Sequence, residues 1–179
     1  SCYMTHSTIE AIQNIIKKSK INHAAISSIK INVASGCLDV CGIEMPKSGL
    51  EAKFSLKFCA AAACMGWDTS QLLTFSDECV SDPILVGLIT NTQVVEKSSL
   101  SRMEVEVSLT SQEEVVHFER YDAGIPSTEL AAQWDKLANK FRGCVSPILG
   151  ESKTEKIISI VNQFDEIEDI SELIFLTNP

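Results

Sequence analysis

The sequence predicts an α+β fold, because helical patterns alternate with strand patterns and two of the strands form an antiparallel hairpin. Residues 29–33 alternate strictly between apolar and polar side chains, which is typical of a strand with one covered face. Residues 103–109 alternate in the same way, residues 110–113 form a turn, and residues 115–120 return as the second hairpin strand. One face of such a hairpin has to be covered by helices, so a two-layer arrangement follows.

The helices are predicted from capping signals and from glycine and proline punctuation. Ser7 and Glu10 have the spacing of a capping box, and the helix behind them should end near Lys20. Residues 38–43 are predicted to be a short extended segment. A turn at residues 46–49 opens a helix that passes through residues 53 and 57 and stops at Gly66. Residues 72–75 and 82–89 are shorter helical pieces, with Pro83 in a first turn.

The C-terminal third is predicted to be helical. A helix starts at residues 127–130, and Pro147 should end it. Residues 153–164 and 170–176 form the last two helices. The acidic tract between them, residues 165–169, could supply paired carboxylates for acid–base chemistry, but a solvated link that caps the final helix is the simpler interpretation.

Composition excludes several classes of partner. The 179 residues carry a formal net charge of −9, which disfavours nucleic acid and anionic membrane surfaces. No apolar run reaches the roughly 18 residues expected of a membrane span. A polycarboxylate would be repelled overall, so a site for one needs a local cluster of cations. The seven cysteines have scattered spacings that match no zinc signature, and they fit small, reduced, buried side chains of an intracellular protein.

Two lysines and one histidine are the candidates for contact with an anion. Lys53 and Lys57 are four residues apart near the start of the predicted helix, where cations are unfavourable to the helix dipole. An anionic partner or simple solvation could explain them. His6 immediately precedes a helix start, so it could project into a cleft or make only a local hydrogen bond. His23 and His117 are assigned to the structure or the surface, and the three histidines do not form a metal site.

Four segments of the chain resemble the MmgE/PrpD family, the 2-methylcitrate dehydratase-like enzymes, and they occur in the same order and spacing as in that family. The segments are Cys2-Tyr-Met-Thr-His6 with Ile9-Glu-Ala11, Glu51-Ala-Lys-Phe-Ser55, Gly124-Ile-Pro126 leading to Leu137-Ala-Asn-Lys-Phe141, and residues 158–174. The resemblance implies a two-layer α/β lid domain over residues 1–126. Residues 127–179 would be C-terminal helices that pack on the lid or on an N-terminal helical domain, which we expect to be missing from this chain.

The resemblance also implies a function and a set of substrate-binding residues. The complete protein would be a lyase without metal or other cofactor that removes water from a small di- or tricarboxylate, with 2-methylcitrate as the first candidate. We expect the fragment alone to be inactive, since the catalytic base would lie in the helical domain. The substrate-binding candidates are Cys2, His6, Lys53, Ser55 and Phe58.

Some family members carry a histidine at the position of Cys2 and a tyrosine at that of Phe58, and the family's upstream lysine and proline are absent here. The cysteine at position 2 fits the dehydratase-like members better than a cis-aconitate decarboxylase. Decarboxylation of cis-aconitate and epimerisation of an amino-dicarboxylate are alternatives, because the same scaffold supports all three reactions and each begins by handling charge next to a carboxylate. A catalytically silent interaction domain is the alternative of another class. The resemblance further implies a homodimer in the cytoplasm, or in the mitochondrial matrix of a eukaryote, with no nucleic-acid or membrane partner.

Overall fold

The computed structural model describes residues 1–178 and divides into two compact units. The first unit comprises Ser1–Thr69 and Leu73–Pro126. The second comprises Ser70–Leu72 and the chain from Ser127 onward. Within the described chain, no helix is long and apolar enough to cross a membrane.

The first unit contains six α-helices and all four strands of the described chain. Its helices are α1 (His6–Ser19), α2 (Leu38–Cys41), α3 (Gly49–Ala52), α4 (Leu56–Cys64), α5 (Asp77–Val80) and α6 (Pro83–Thr90). Its strands are β1 (Ile26–Ala34), β2 (Thr92–Lys97), β3 (Glu104–Ser111) and β4 (Val116–Asp122). They form one mixed sheet in the order β2-β1-β3-β4, in which β1 and β2 are parallel and the other neighbours are antiparallel.

The predicted α+β class and the predicted hairpin are confirmed. Strands β3 and β4 are antiparallel, and the side chains of β3 alternate between buried and partly exposed along its whole length. Val105, Val107 and Leu109 are buried on the face that helix α1 covers. Strand β3 therefore has one buried and one more exposed face, as its alternation predicts, whereas the residues of β4 are only partly covered or exposed.

Helix α4 packs against α1 and brings the small-residue run into the core. Residues 60–63 are all alanines and are essentially inaccessible to solvent. Alanine side chains allow two helix backbones to approach closely, so this run sets the spacing of the helical layer. Gly66 follows the helix with φ of 72°, a left-handed conformation that glycine adopts without steric cost, and it ends the helix as predicted.

The capping-box prediction is wrong. Helix α1 already starts at His6, so Ser7 lies within its first turn and cannot cap it. The Ser7 hydroxyl instead donates to the carbonyl oxygen of Met103 and accepts from the backbone N–H of Ala123 at 3.0 Å. Ser7 thus binds two backbone groups that lie far away in the sequence, although its local sequence pattern predicts a helix cap.

The single helix predicted from the turn at residues 46–49 to Gly66 is also wrong, because the chain forms two helices there. Ser55 has extended backbone angles, and its hydroxyl accepts from the Phe58 N–H at 3.1 Å, which caps α4. Gly42 pairs with Ser55 in an isolated antiparallel bridge that holds this break in place. As a result Phe54 leaves the apolar face and is 37% exposed, whereas Phe58 is fully buried.

Two smaller predictions fail as well. Residues 38–43 contain the short helix α2 rather than an extended segment. Pro147 lies inside the last turn of its helix, which continues to Leu149. A proline removes only one backbone hydrogen bond, and two residues remain before the helix ends at Gly150.

The described part of the second unit contains three α-helices: α7 (Leu130–Leu149), α8 (Glu151–Asn162) and α9 (Ser171–Leu176). Arg142 on α7 binds the Glu155 carboxylate of α8 through two nitrogens, at 2.6 and 2.8 Å. The Asp169 carboxylate accepts from the backbone N–H of Ser171 at 2.9 Å. This bond gives the acidic tract a capping role at the start of α9.

Candidate functional site

The first candidate segment, around Cys2, is joined directly to the segment around Lys53. The backbone N–H of Cys2 donates to the carbonyl oxygen of Lys53 at 2.9 Å. Cys2 is partly exposed and packs against the core of the first unit. Two stretches that are about fifty residues apart in the sequence therefore meet at one place.

Lys53 and Lys57 have different environments, because the break at Ser55 separates them. Lys53 caps the C-terminal end of α3, the end at which a cation is favourable, so the helix-dipole argument against it does not apply. Within the described chain its ammonium group makes no ion pair, and the residue is partly exposed. Lys57 lies in the first turn of α4, where it pairs with the Glu44 carboxylate, and its side chain is only 17% exposed. Of the two, Lys53 is the cation available to a ligand.

His6 is the first residue of α1 and is partly exposed. Its ring meets the Tyr3 ring edge-on, with centroids 5.4 Å apart and planes at 75°. The Tyr3 hydroxyl donates to the carbonyl oxygen of Ala123 at 3.1 Å, which anchors the turn before the helix. The contact with Tyr3 therefore orients the imidazole at the first residue of α1, four residues after Cys2.

Ser55 and Phe58 are fully buried in this unit. Ser55 holds the start of α4 through its hydroxyl, and the Phe58 ring packs against Phe75 with centroids 5.7 Å apart. Both side chains thus support the backbone that presents Lys53. Their contact with a substrate stays a prediction, as does that of Cys2, His6 and Lys53.

The structure brings together four thiols that the sequence does not relate to one another. Burial raises the pKa of Cys37 and of Cys59 to about 11, and it raises the pKa of Cys41 further. The neighbouring thiol of Cys2 also raises the pKa of Cys41. Protonated thiols are poor nucleophiles and poor metal ligands, so the buried members of this group act as small core side chains. No group of three or more potential ligands could hold a metal ion within the described chain.

A cavity of about 400 Å³ is lined in part by Met4 of the Cys2–His6 segment and is a feature that sequence reasoning missed. Met4 forms one wall of it, and Val40 of α2 forms another. The remaining lining residues follow the two parallel strands: residues 34–36 come at the end of β1, and Ser98, Leu100 and Arg102 come after β2. Sequence patterns predict no site here, because the two loops become neighbours only when β1 and β2 pair.

A comparison with protein-family models matches the MmgE/PrpD C-terminal domain over residues 1–166. This chain belongs to the MmgE/PrpD family. The match covers the whole first unit and most of the second, and it agrees with the resemblance of the Cys2 and Lys53 segments. The MmgE/PrpD family includes hydro-lyases, which supports a lyase at a coarse level. A comparison with curated proteins finds no match.

Proposed function

We propose that this MmgE/PrpD domain is the C-terminal part of a metal-free lyase that removes water from a small di- or tricarboxylate of the 2-methylcitrate type. The observation that carries the proposal is the 2.9 Å hydrogen bond between Cys2 and Lys53. It joins two segments that resemble the substrate-binding stretches of the family, and it does so beside an ammonium group without an acidic partner in the described chain. Family membership supports the reaction class.

The proposed chemistry explains why a free cation matters at this place. A base abstracts a proton from the carbon next to a carboxylate, negative charge spreads onto that carboxylate, and the β-hydroxyl leaves with the help of an acid. Positive groups fixed near the carboxylate stabilise the charge as it develops. In this proposal Lys53 binds a substrate carboxylate and His6 contributes a polar contact, while Ser55 and Phe58 hold the supporting helix. The base comes from the helical domain.

The test is turnover by the complete protein. Incubation with 2-methylcitrate or citrate should produce the unsaturated acid, detected by the ultraviolet absorbance of its conjugated double bond, and EDTA should leave the rate unchanged. A strict metal requirement would contradict the metal-free part of the proposal. Release of carbon dioxide from cis-aconitate, or epimerisation of an amino-dicarboxylate, would instead assign one of the two related reactions. Absence of turnover with all of these substrates would favour a silent interaction domain.

We also propose that the complete protein is a homodimer. Several apolar side chains of the second unit are exposed, among them Leu130 at 75% and Phe175 at 73%. Exposed apolar patches typically mark an interaction surface, which in the complete protein is shared between the helical domain and a second copy of the chain, and the resemblance to the family supports the dimer. Sedimentation velocity over a range of concentrations should therefore give a dimer, and a monomer at high concentration would contradict this.

A further inference from the structure

The cavity beside Met4 is lined by the two loops that follow the parallel strands β1 and β2. Strands β1 and β2 are parallel, so their carboxyl ends lie at the same edge. Open sheets with parallel strands bind small molecules in the crevice outside these ends. Gly36 turns the chain away from β1 with φ of 83°, which opens space for the loop that follows β2.

The size and lining of the cavity suit a small molecule with both an apolar and an anionic part. Its volume of about 400 Å³ lies within the range of roughly 300–1,000 Å³ typical of ligand pockets. Met4, Val40 and Leu100 supply apolar surface, and the hydroxyls of Ser35 and Ser98 are available for hydrogen bonds. A few polar groups on a mainly apolar wall are the usual composition of such pockets.

Arg102 is the cation of this cavity. Within the described chain, its guanidinium makes no ion pair. Two carboxylates close to it in the sequence are already occupied: Glu96 accepts from the backbone N–H groups of Gly36 and Leu38, and Glu104 binds Arg120. Arg102 is an exposed residue that lines the cavity and has no acidic partner among the described residues, so its donors are available to an incoming anion in a chain of net charge −9.

We propose that this cavity is a carboxylate-binding subsite and that Arg102 is a further substrate-binding residue of this domain. The identity of the ligand as a small polycarboxylate rests on the proposed function above. Met4 lies between Cys2 and His6 in the sequence, so the Cys2–His6 segment contributes both to the cavity and to the Cys2–Lys53 site. In this proposal Arg102 holds one carboxylate of the molecule whose reacting end lies at that site, and it selects for substrates with more than one carboxylate.

The test measures binding apart from turnover. Tricarballylate has three carboxylates but no hydroxyl group, so it cannot be dehydrated, and calorimetry on the complete protein gives its affinity directly. Arg102→Gln should weaken binding about tenfold or more, the loss expected for one charge-assisted contact. Arg102→Lys should recover part of it, because a lysine restores the charge but not the bidentate geometry. Lys30→Gln on strand β1 is the matched control, since it removes the same charge from an exposed residue outside the cavity.

A second measurement locates the ligand. In protein labelled at the methionine methyl groups, tricarballylate should shift the Met4 resonance in the wild type and not in Arg102→Gln. An unmoved Met4 resonance would overturn the inference, and so would equal losses of affinity in Arg102→Gln and Lys30→Gln. Binding that depends on Arg102 without any turnover would support the subsite and contradict the lyase proposal. Normal turnover of 2-methylcitrate by Arg102→Gln, with unchanged KM, would support the lyase and overturn the subsite.

Discussion

Replacement of Lys53 by glutamine is the most informative perturbation of the proposed site. The structure leaves this ammonium group without an ion pair in the described chain, so the change breaks no internal contact of the side chain. Its position at the C-terminal end of the four-residue helix α3 gives it only a weak helix-dipole contribution, at most about 0.3–1 kcal/mol. We therefore expect the free energy of unfolding to change by about 1 kcal/mol or less.

The effect on catalysis should be much larger if Lys53 binds a substrate carboxylate. A hydrogen bond to a charged group contributes roughly 1.5–3 kcal/mol. That energy corresponds to a loss of about tenfold to hundredfold in kcat/KM, since each 1.36 kcal/mol is about a factor of ten. Steady-state kinetics of the complete enzyme with 2-methylcitrate, together with urea denaturation of the same variant, measure the two quantities.

Lys47→Gln is the appropriate control for this experiment. Lys47 is exposed and belongs to the same turn region, so it reports the loss of one positive charge nearby. Lys57, the surface control suggested by the sequence, is less suitable because its side chain is mostly covered and paired with Glu44. Equal kinetics of the Lys53 and Lys47 variants would refute the assignment of Lys53 to substrate binding.

Three further predictions test how the site is supported. Phe58→Ala should lower the free energy of unfolding by about 3–5 kcal/mol in urea titrations, because the ring is fully buried; a loss below about 1 kcal/mol would contradict this packing. Ser7→Ala should cost about 1–3 kcal/mol, since it leaves a backbone carbonyl and a backbone N–H without their partner; an unchanged midpoint would argue against these two bonds. Burial raises the pKa of Cys64 from the ordinary 9.0 to about 12, so this thiol ionises at lower pH in the unfolded chain than in the folded one. The buried, protonated thiol therefore contributes to stability below pH 9.0, and this contribution is lost as the pH rises towards 12. Cys64→Ala should therefore show a smaller alkaline loss of stability than the wild type, and identical pH profiles would contradict the assignment.

The sequence allowed prediction of those site features that depend on short motifs. The Cys2–His6 and Glu51–Ser55 segments could be recognised as parts of one family, and the family match over residues 1–166 confirms that recognition. The difference between Lys53 and Lys57 could not be predicted, because it depends on the break at Ser55 and on a glutamate thirteen residues away from Lys57. Arg102 could not be found either, since no local pattern distinguishes an exposed arginine that lines a cavity from any other exposed arginine.

Local periodicity determined the α+β class and the hairpin of this protein, because the alternation of residues 103–109 requires only that one face be covered. Tertiary structure decided how the helices begin and break. Ser7 and Ser55 illustrate the reason: a serine hydroxyl can cap a helix, or it can bind a distant backbone group. Ser7 binds Met103 and Ala123 instead of capping its helix as predicted. The bridge with Gly42 holds Ser55 at the start of α4, where Ser55 caps that helix and separates Lys53 from Lys57. These partners lie far away in the sequence, so the choice between them is made only when the chain is folded.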